Sequence, residues 1–194
     1  MLRTFNHNMS NYDFNLSIRP QIEELSEMIL NENELEEVNS LSEKLAHKKT
    51  RENAINRLRE IVGCRPKRPV YYVWMHLRDL PEDTRTVVFY AGSYIDCLMK
   101  HISNDKGKNI IRALFTSLNN NIKWTKEVLG TELTNILNKY ESLIYTPAKH
   151  DFDERKGRPH LFSSKEAVSI CFMTMKLAKQ LIELSEETKE YSLR

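Results

Sequence analysis

Breakers are scarce in this chain of 194 residues, which holds 5 Gly and 6 Pro. A β-sandwich or barrel needs a turn about every 8 to 12 residues, and turns consume Gly, Pro, Asn and Asp. The scarcity therefore excludes a many-stranded fold and favours long helices. Cysteine is equally sparse. Cys64, Cys97 and Cys171 are an odd number with no CxxC pair, so neither a disulfide framework nor a zinc knuckle is expected, and the thiols read as reduced and buried. No run of about 18 uncharged apolar residues occurs, and "MLRTFNHNMSNYDFN" lacks the apolar core of a signal peptide. The expectation is a cytoplasmic protein with no membrane partner.

Charge of one sign is missing too. The 29 Lys plus Arg against 27 Asp plus Glu leave a formal +2, so any nucleic-acid surface must be local. Also absent are GxxxxGK[ST], GxGxxG after a strand, HExxH and GxSxG. A nucleotide-driven motor, a dehydrogenase, a zinc protease or a serine hydrolase would each need a different kind of site. No cofactor is expected.

What is present is helical periodicity. Residues 1–16, rich in Asn and without a period, read as a flexible arm, and 17–194 as one all-α domain, a bundle of five or six helices. Ile18, Ile22, Leu25, Met28 and Ile29 fall on one helical stripe. A second helix is expected from near Glu34 to Gly63, its apolar positions lapsing across "AHKKTREN", where the helix either projects beyond the core or kinks. "VYYVWMHLRDL" suits a buried strand as well as a short buried helix; no partner strand is evident, which favours the helix. Its aromatics Tyr71, Tyr72 and Trp74 are expected in the core, although such a cluster could also stack on bases.

Pro81, Glu82 and Asp83 read as a helix opening. Thr84, Val88, Ala91, Ile95, Leu98 and Ile102 then give the most regular helical pattern of the chain. Further helices are expected around Ile111 to Val128 and Leu133 to Ile144. Ser163 with Glu166 makes a capping box before a last helix lined by Ala167, Ile170, Cys171, Thr174, Leu177, Ala178 and Leu181, which reads as central and buried.

Chemistry concentrates in "YTPAKHDFDERKGRPHLFSSKEA", residues 145–167. His150, Asp151, Asp153, Glu154 and His160 are metal-capable donors, but their spacing is not that of a structural zinc site, and no metal is expected. Read as a connection between helices, the stretch balances its acids with Lys149, Arg155, Lys156 and Arg158. Read as a site, it precedes a helix N-terminus that attracts anions, and Lys149 and Arg158 could hold a phosphate backbone. Histidine can move a proton near neutral pH, and a positioned Arg stabilises a phosphorane, so His150, Arg155 and His160 supply the parts for metal-free phosphodiester cleavage. Lys44, Lys48 and Arg51 form a second basic stripe at i, i+4 and i+7, a candidate phosphate contact or a solvated face.

A long helix ending in a polar segment with histidine, followed by the capped helix "FSSKEAVSICFMTMKLAKQLIEL", resembles the C-terminal half of HEPN domains, helical bundles of prokaryotic defence and toxin–antitoxin systems. Nucleases of that family use Arg, four to six residues, then His. Aligned by position the histidine is His150, with Tyr145 where the arginine would stand and Pro147 in the spacer; aligned by letters, Arg155 and His160 of "RKGRPH" match, within a Gly and Pro segment. The resemblance implies an RNA-directed protein that dimerises, either a metal-independent endoribonuclease or a catalytically degenerate RNA-binding relative. The residues themselves equally allow a non-enzymatic interaction or dimerisation module with a protein partner, such as an antitoxin, adaptor or accessory protein.

Overall fold

The computed structural model describes residues 9–65, 70–105, 129–149 and 160–192, all in helices and short connections, with no strand among them. The order is α1 (Met9–Ile29), α2 (Glu32–Ala46), α3 (Lys48–Val62), α4 (Val70–His76), a 3₁₀ turn (Leu77–Asp79), α5 (Thr84–Asp105), α6 (Thr131–Tyr140), a π turn (Glu141–Tyr145), α7 (Thr146–Lys149) and α8 (Ser164–Ser192). None of these helices is long and apolar enough to cross a membrane. The all-α bundle is as expected, and its inner surface is that of the periodic residues. Helix α8 lies at its centre, packed along α5 and α2 and also against α1 and α3. All seven residues expected on its inner face are buried.

The helix ends follow local chemistry. Asn31 caps α2, its side chain accepting from Glu34 N (3.0 Å), while Glu34 Oε2 accepts from Asn31 N (2.7 Å), a reciprocal box that settles two orphan amides. Asp83 caps α5 by a single bond, its Oδ1 accepting from Thr86 N (3.0 Å). Pro81, expected in the first turn of that helix, stands before it, in a turn entered through a cis Leu80–Pro81 peptide. Residues 70–79 are helical, as favoured.

Three expectations change. The helix read as continuous from Glu34 to Gly63 is two helices, because His47 leaves the helical region (φ −104°, ψ 118°) and serves as the cap of both α2 and α3. The two halves fold back on one another, joined by Arg57 Nε to Glu37 Oε1 (2.7 Å), so the lapse in the apolar pattern marks a hairpin turn. Helix α1 begins at Met9, inside the stretch read as an arm, and Met28, expected on its inner stripe, is exposed while Leu30 is buried. Of the three thiols only Cys171 is buried; Cys64 and Cys97 are exposed. The helix expected around Ile111 to Val128 lies outside the described residues.

Candidate nucleic-acid interface

The polar stretch that opens at Tyr145 is less of a loop than its composition suggests. Tyr145 ends the π turn, and residues through Lys149 continue as α7, Pro147 included. His150, Arg155 and Arg158 lie outside the described residues. Lys149 is exposed, with its Nζ 5.5 Å from the Tyr145 ring centroid.

His160, the remaining candidate catalyst, is 1% exposed. Its Nε2 lies 3.2 Å from Glu166 Oε1, and its ring meets Phe162 edge to face at 4.7 Å. The expected capping box is present: Ser163 N donates to Glu166 Oε2 (2.6 Å) and Glu166 N donates to Ser163 Oγ (3.2 Å). Arg19 reaches the same carboxylate (3.8 Å) and donates to Leu161 O (3.4 Å), while Thr84 Oγ1 donates to Phe162 O (2.7 Å). Burial by itself would raise the Glu166 pKa, but the bonds from His160 and from the Ser163 amide outweigh it and hold the carboxyl below its ordinary value. This cluster pins the start of α8 to α1 and α5. Its histidine has no face open to a substrate.

The basic stripe is likewise divided. Lys44 is in the last turn of α2, whereas Lys48 and Arg51 belong to α3, so the three do not share one helix face. Arg51 is engaged, donating to Leu45 O (3.1 Å) and to Glu82 Oε1 (2.8 Å). Lys44 and Lys48 are exposed beside the His47 turn.

What the structure does assemble is a run of aromatic rings. Tyr71, Tyr72 and Trp74, expected in the core, lie on the flanks of α4: Tyr72 is 49% exposed, Tyr71 and His76 are half-buried, and Trp74 is half-buried and packs against the core. Trp74 and Tyr71 stack at 6.0 Å and 12°, and Tyr71 meets Tyr72 at 6.3 Å. Tyr72 and His76 both stack on Tyr90 of α5, at 5.2 Å and 4.9 Å. Phe89 continues the run from Tyr90 (5.3 Å) to Tyr145 (6.2 Å). A cation stands at each end, Arg59 of α3 with its guanidinium carbon 4.7 Å from the Trp74 centroid and Lys149 over Tyr145. Arg59 Nε is buried with no hydrogen-bond partner among the described residues, and the Trp74 ring face lies against that guanidinium.

The geometry of α4 explains the arrangement. Val70, Val73 and Leu77 carry its buried side, at 0 to 1% exposure, which turns Tyr71, Trp74, Tyr72 and His76 onto its flanks. A five-residue run of β-branched and aromatic letters looks uniformly apolar as a string; only the helical period separates its aliphatic inner side from its aromatic outer one. His76 Nδ1 lies 2.9 Å from Asp79 Oδ2, which orients its ring on Tyr90, so it is a satisfied histidine. No group of His, Cys, Asp and Glu among the described residues could hold a metal ion.

No known protein family, no curated protein and no solved structure matches this chain.

Proposed function

We propose that this chain binds single-stranded RNA, with bases stacking on the aromatic run of α4 and α5. The observation that carries the reading is the partly exposed set Tyr71, Tyr72, Trp74 and Tyr90, linked ring to ring and flanked by Arg59 and Lys149. Stacking platforms with nearby cations suit unpaired bases, since every base offers a π-face and the backbone a negative charge. The HEPN-like pattern of the C-terminal half supports the same class of ligand. Metal-free cleavage would then rest on His150 and Arg155, because His160 is committed to Glu166.

The test is fluorescence anisotropy of a labelled uridine oligonucleotide titrated with wild type and with Tyr72→Ala. Loss of one stacked base should weaken binding about tenfold, at about 1.4 kcal/mol per tenfold step. Affinity unchanged in Tyr72→Ala and in Trp74→Ala overturns the reading. Incubating RNA with wild type and His150→Ala in excess EDTA separates a nuclease, which cleaves only as wild type, from a binding protein, which cleaves as neither.

A second reading, a helical interaction or dimerisation module, draws on the same surface, because an exposed Tyr beside Trp and Arg is also the composition of a protein hot spot. Sedimentation distinguishes it. A dimer that Tyr72→Ala dissociates, with no RNA affinity in either protein, would favour this module.

A further inference from the structure

An imidazole, a carboxylate and a guanidinium stand together where α4 ends. His76 closes that helix, and Arg78 and Asp79 follow in the 3₁₀ turn. Asp79 holds both neighbours through opposite oxygens, with His76 Nδ1 2.9 Å from Oδ2 and Arg78 Nε 3.5 Å from Oδ1. An ionised carboxylate only accepts, so in the neutral ring Nδ1 carries the proton and Nε2 keeps its lone pair. The bond to Asp79 satisfies Nδ1 alone. Nε2 makes no hydrogen bond among the described residues, and the side chain is 23% exposed, whereas His160 is sealed against Glu166.

The same ring belongs to the aromatic run. Tyr72 and His76 lie one helical turn apart, where side chains share a face, and both stack on Tyr90, at 17° and 9° between planes. A base laid on the exposed Tyr72 therefore brings its ribose beside the imidazole edge. Arg78 has a side chain 64% exposed, and a guanidinium carries five donors, so its contact with Asp79 leaves others for a phosphate oxygen. The acids next to His76, Asp79 and Asp83, are balanced by Arg78 and Arg85, so the surface does not repel an anion.

We infer that His76 is the general base of a metal-free RNA-cleaving site, with Asp79 as its positioning residue and Arg78 as the charge that stabilises the phosphorane. The inference rests on the reading of this face as an RNA platform and differs from it in the residue that does the chemistry. Nε2 takes the proton of a ribose 2′-hydroxyl, and the 2′-oxygen forms a bond to the adjacent phosphorus. The bond from phosphorus to the 5′-oxygen breaks. That oxygen takes a proton from water, and the hydroxide so formed recovers the proton held by His76. The products are a 2′,3′-cyclic phosphate and a 5′-hydroxyl, and nothing but the RNA is consumed. Because the RNA supplies its own nucleophile, one base is enough and DNA is not a substrate.

The full chain is incubated in excess EDTA with a labelled uridine oligonucleotide, at concentrations that saturate binding as read by anisotropy. His76→Phe, which keeps a ring on Tyr90 but removes the base, is compared with wild type and His150→Ala. Wild type and His150→Ala should cleave, His76→Phe should be slower by about 100-fold or more, and Arg78→Ala should be slowed too. The cut ends should be 2′,3′-cyclic phosphates, and the deoxyuridine oligonucleotide should stay intact. Binding by wild type without cleavage, cleavage that His76→Phe retains, or cutting of the deoxy strand would overturn this inference while leaving the RNA-binding reading in place. No binding by wild type would overturn both.

Discussion

Gly92 of α5 lies flat against the side chain of Tyr145: a β-carbon at position 92 would stand 2.8 Å from Tyr145 Cγ and 2.9 Å from its Cβ. Those are the near atoms of the side chain, fixed by the π turn, and they cannot swing away as a flexible tip would. The missing side chain is thus what lets the π turn settle on α5 and carries Tyr145 to Phe89 at the end of the aromatic run.

Gly92→Ala should therefore destabilise the protein. An Ala in a helix gains up to about 1 kcal/mol over Gly, while overpacking a core costs about 1 to 3 kcal/mol. A net loss of about 1 kcal/mol or more is expected in urea unfolding. A variant as stable as wild type would show that the two elements can separate freely.

Glu141, in the π turn, is pushed up to about 7, first by burial and then by the negative charge of buried Asp96, with Lys149 offsetting part of the effect. A raised folded pKa means the native state holds the proton more tightly than the unfolded chain. The contribution is complete below the ordinary carboxylate value of 4.5 and is lost as pH rises through about 7. Because Glu141 is partly exposed, screening reduces the effect to about 1 kcal/mol. Glu141→Gln should be the more stable protein at pH 8 by that amount and should flatten the stability curve between pH 5 and 8, as read by thermal unfolding at a series of pH values.

Glu166 has the opposite sign. Its folded pKa lies below the ordinary value, so the stability it contributes is present above the unfolded pKa and disappears as pH falls through the folded one. Glu166→Gln keeps the shape but weakens the bonds to His160 and the Ser163 amide, and should cost about 1 to 3 kcal/mol at neutral pH. Wild type and variant should converge on acidification. Ser163→Ala, which removes only the other half of the box, should cost about 1 kcal/mol.

The thiols should divide two to one. Cys64 and Cys97 are exposed, while burial pushes the Cys171 thiol up to about 12 and shields it. Since the thiolate is the reactive form, Ellman's reagent should titrate two thiols in the native protein and the third only after unfolding. Rapid labelling of all three would mean that α8 opens readily.

Much of the fold was legible in the chain because a helix is a local structure. The spacing of Ala167, Ile170, Thr174 and Leu177 places them on one side whatever surrounds them, and Ser163 and Glu166 make their box from residues three apart. The same reasoning, applied to Asn31 and Glu34, would have found the start of α2. The candidate site was much less legible. His160, chosen for its chemistry and its proximity to Arg155, is buried on Glu166, and nothing in a string of letters distinguishes a histidine aimed at substrate from one aimed at a cap.

Helix content, the buried stripe of α8 and its cap were determined by the sequence by itself, through periodicity and hydrogen bonds that span a single turn. Tertiary structure alone decided what the aromatic flanks of α4 meet. Val70, Val73 and Leu77 take the space against the core, and the aromatics find partners in Arg59 from α3 and Tyr90 from α5. Those contacts join positions far apart in the chain, so they follow from how the helices pack rather than from any local run of residues.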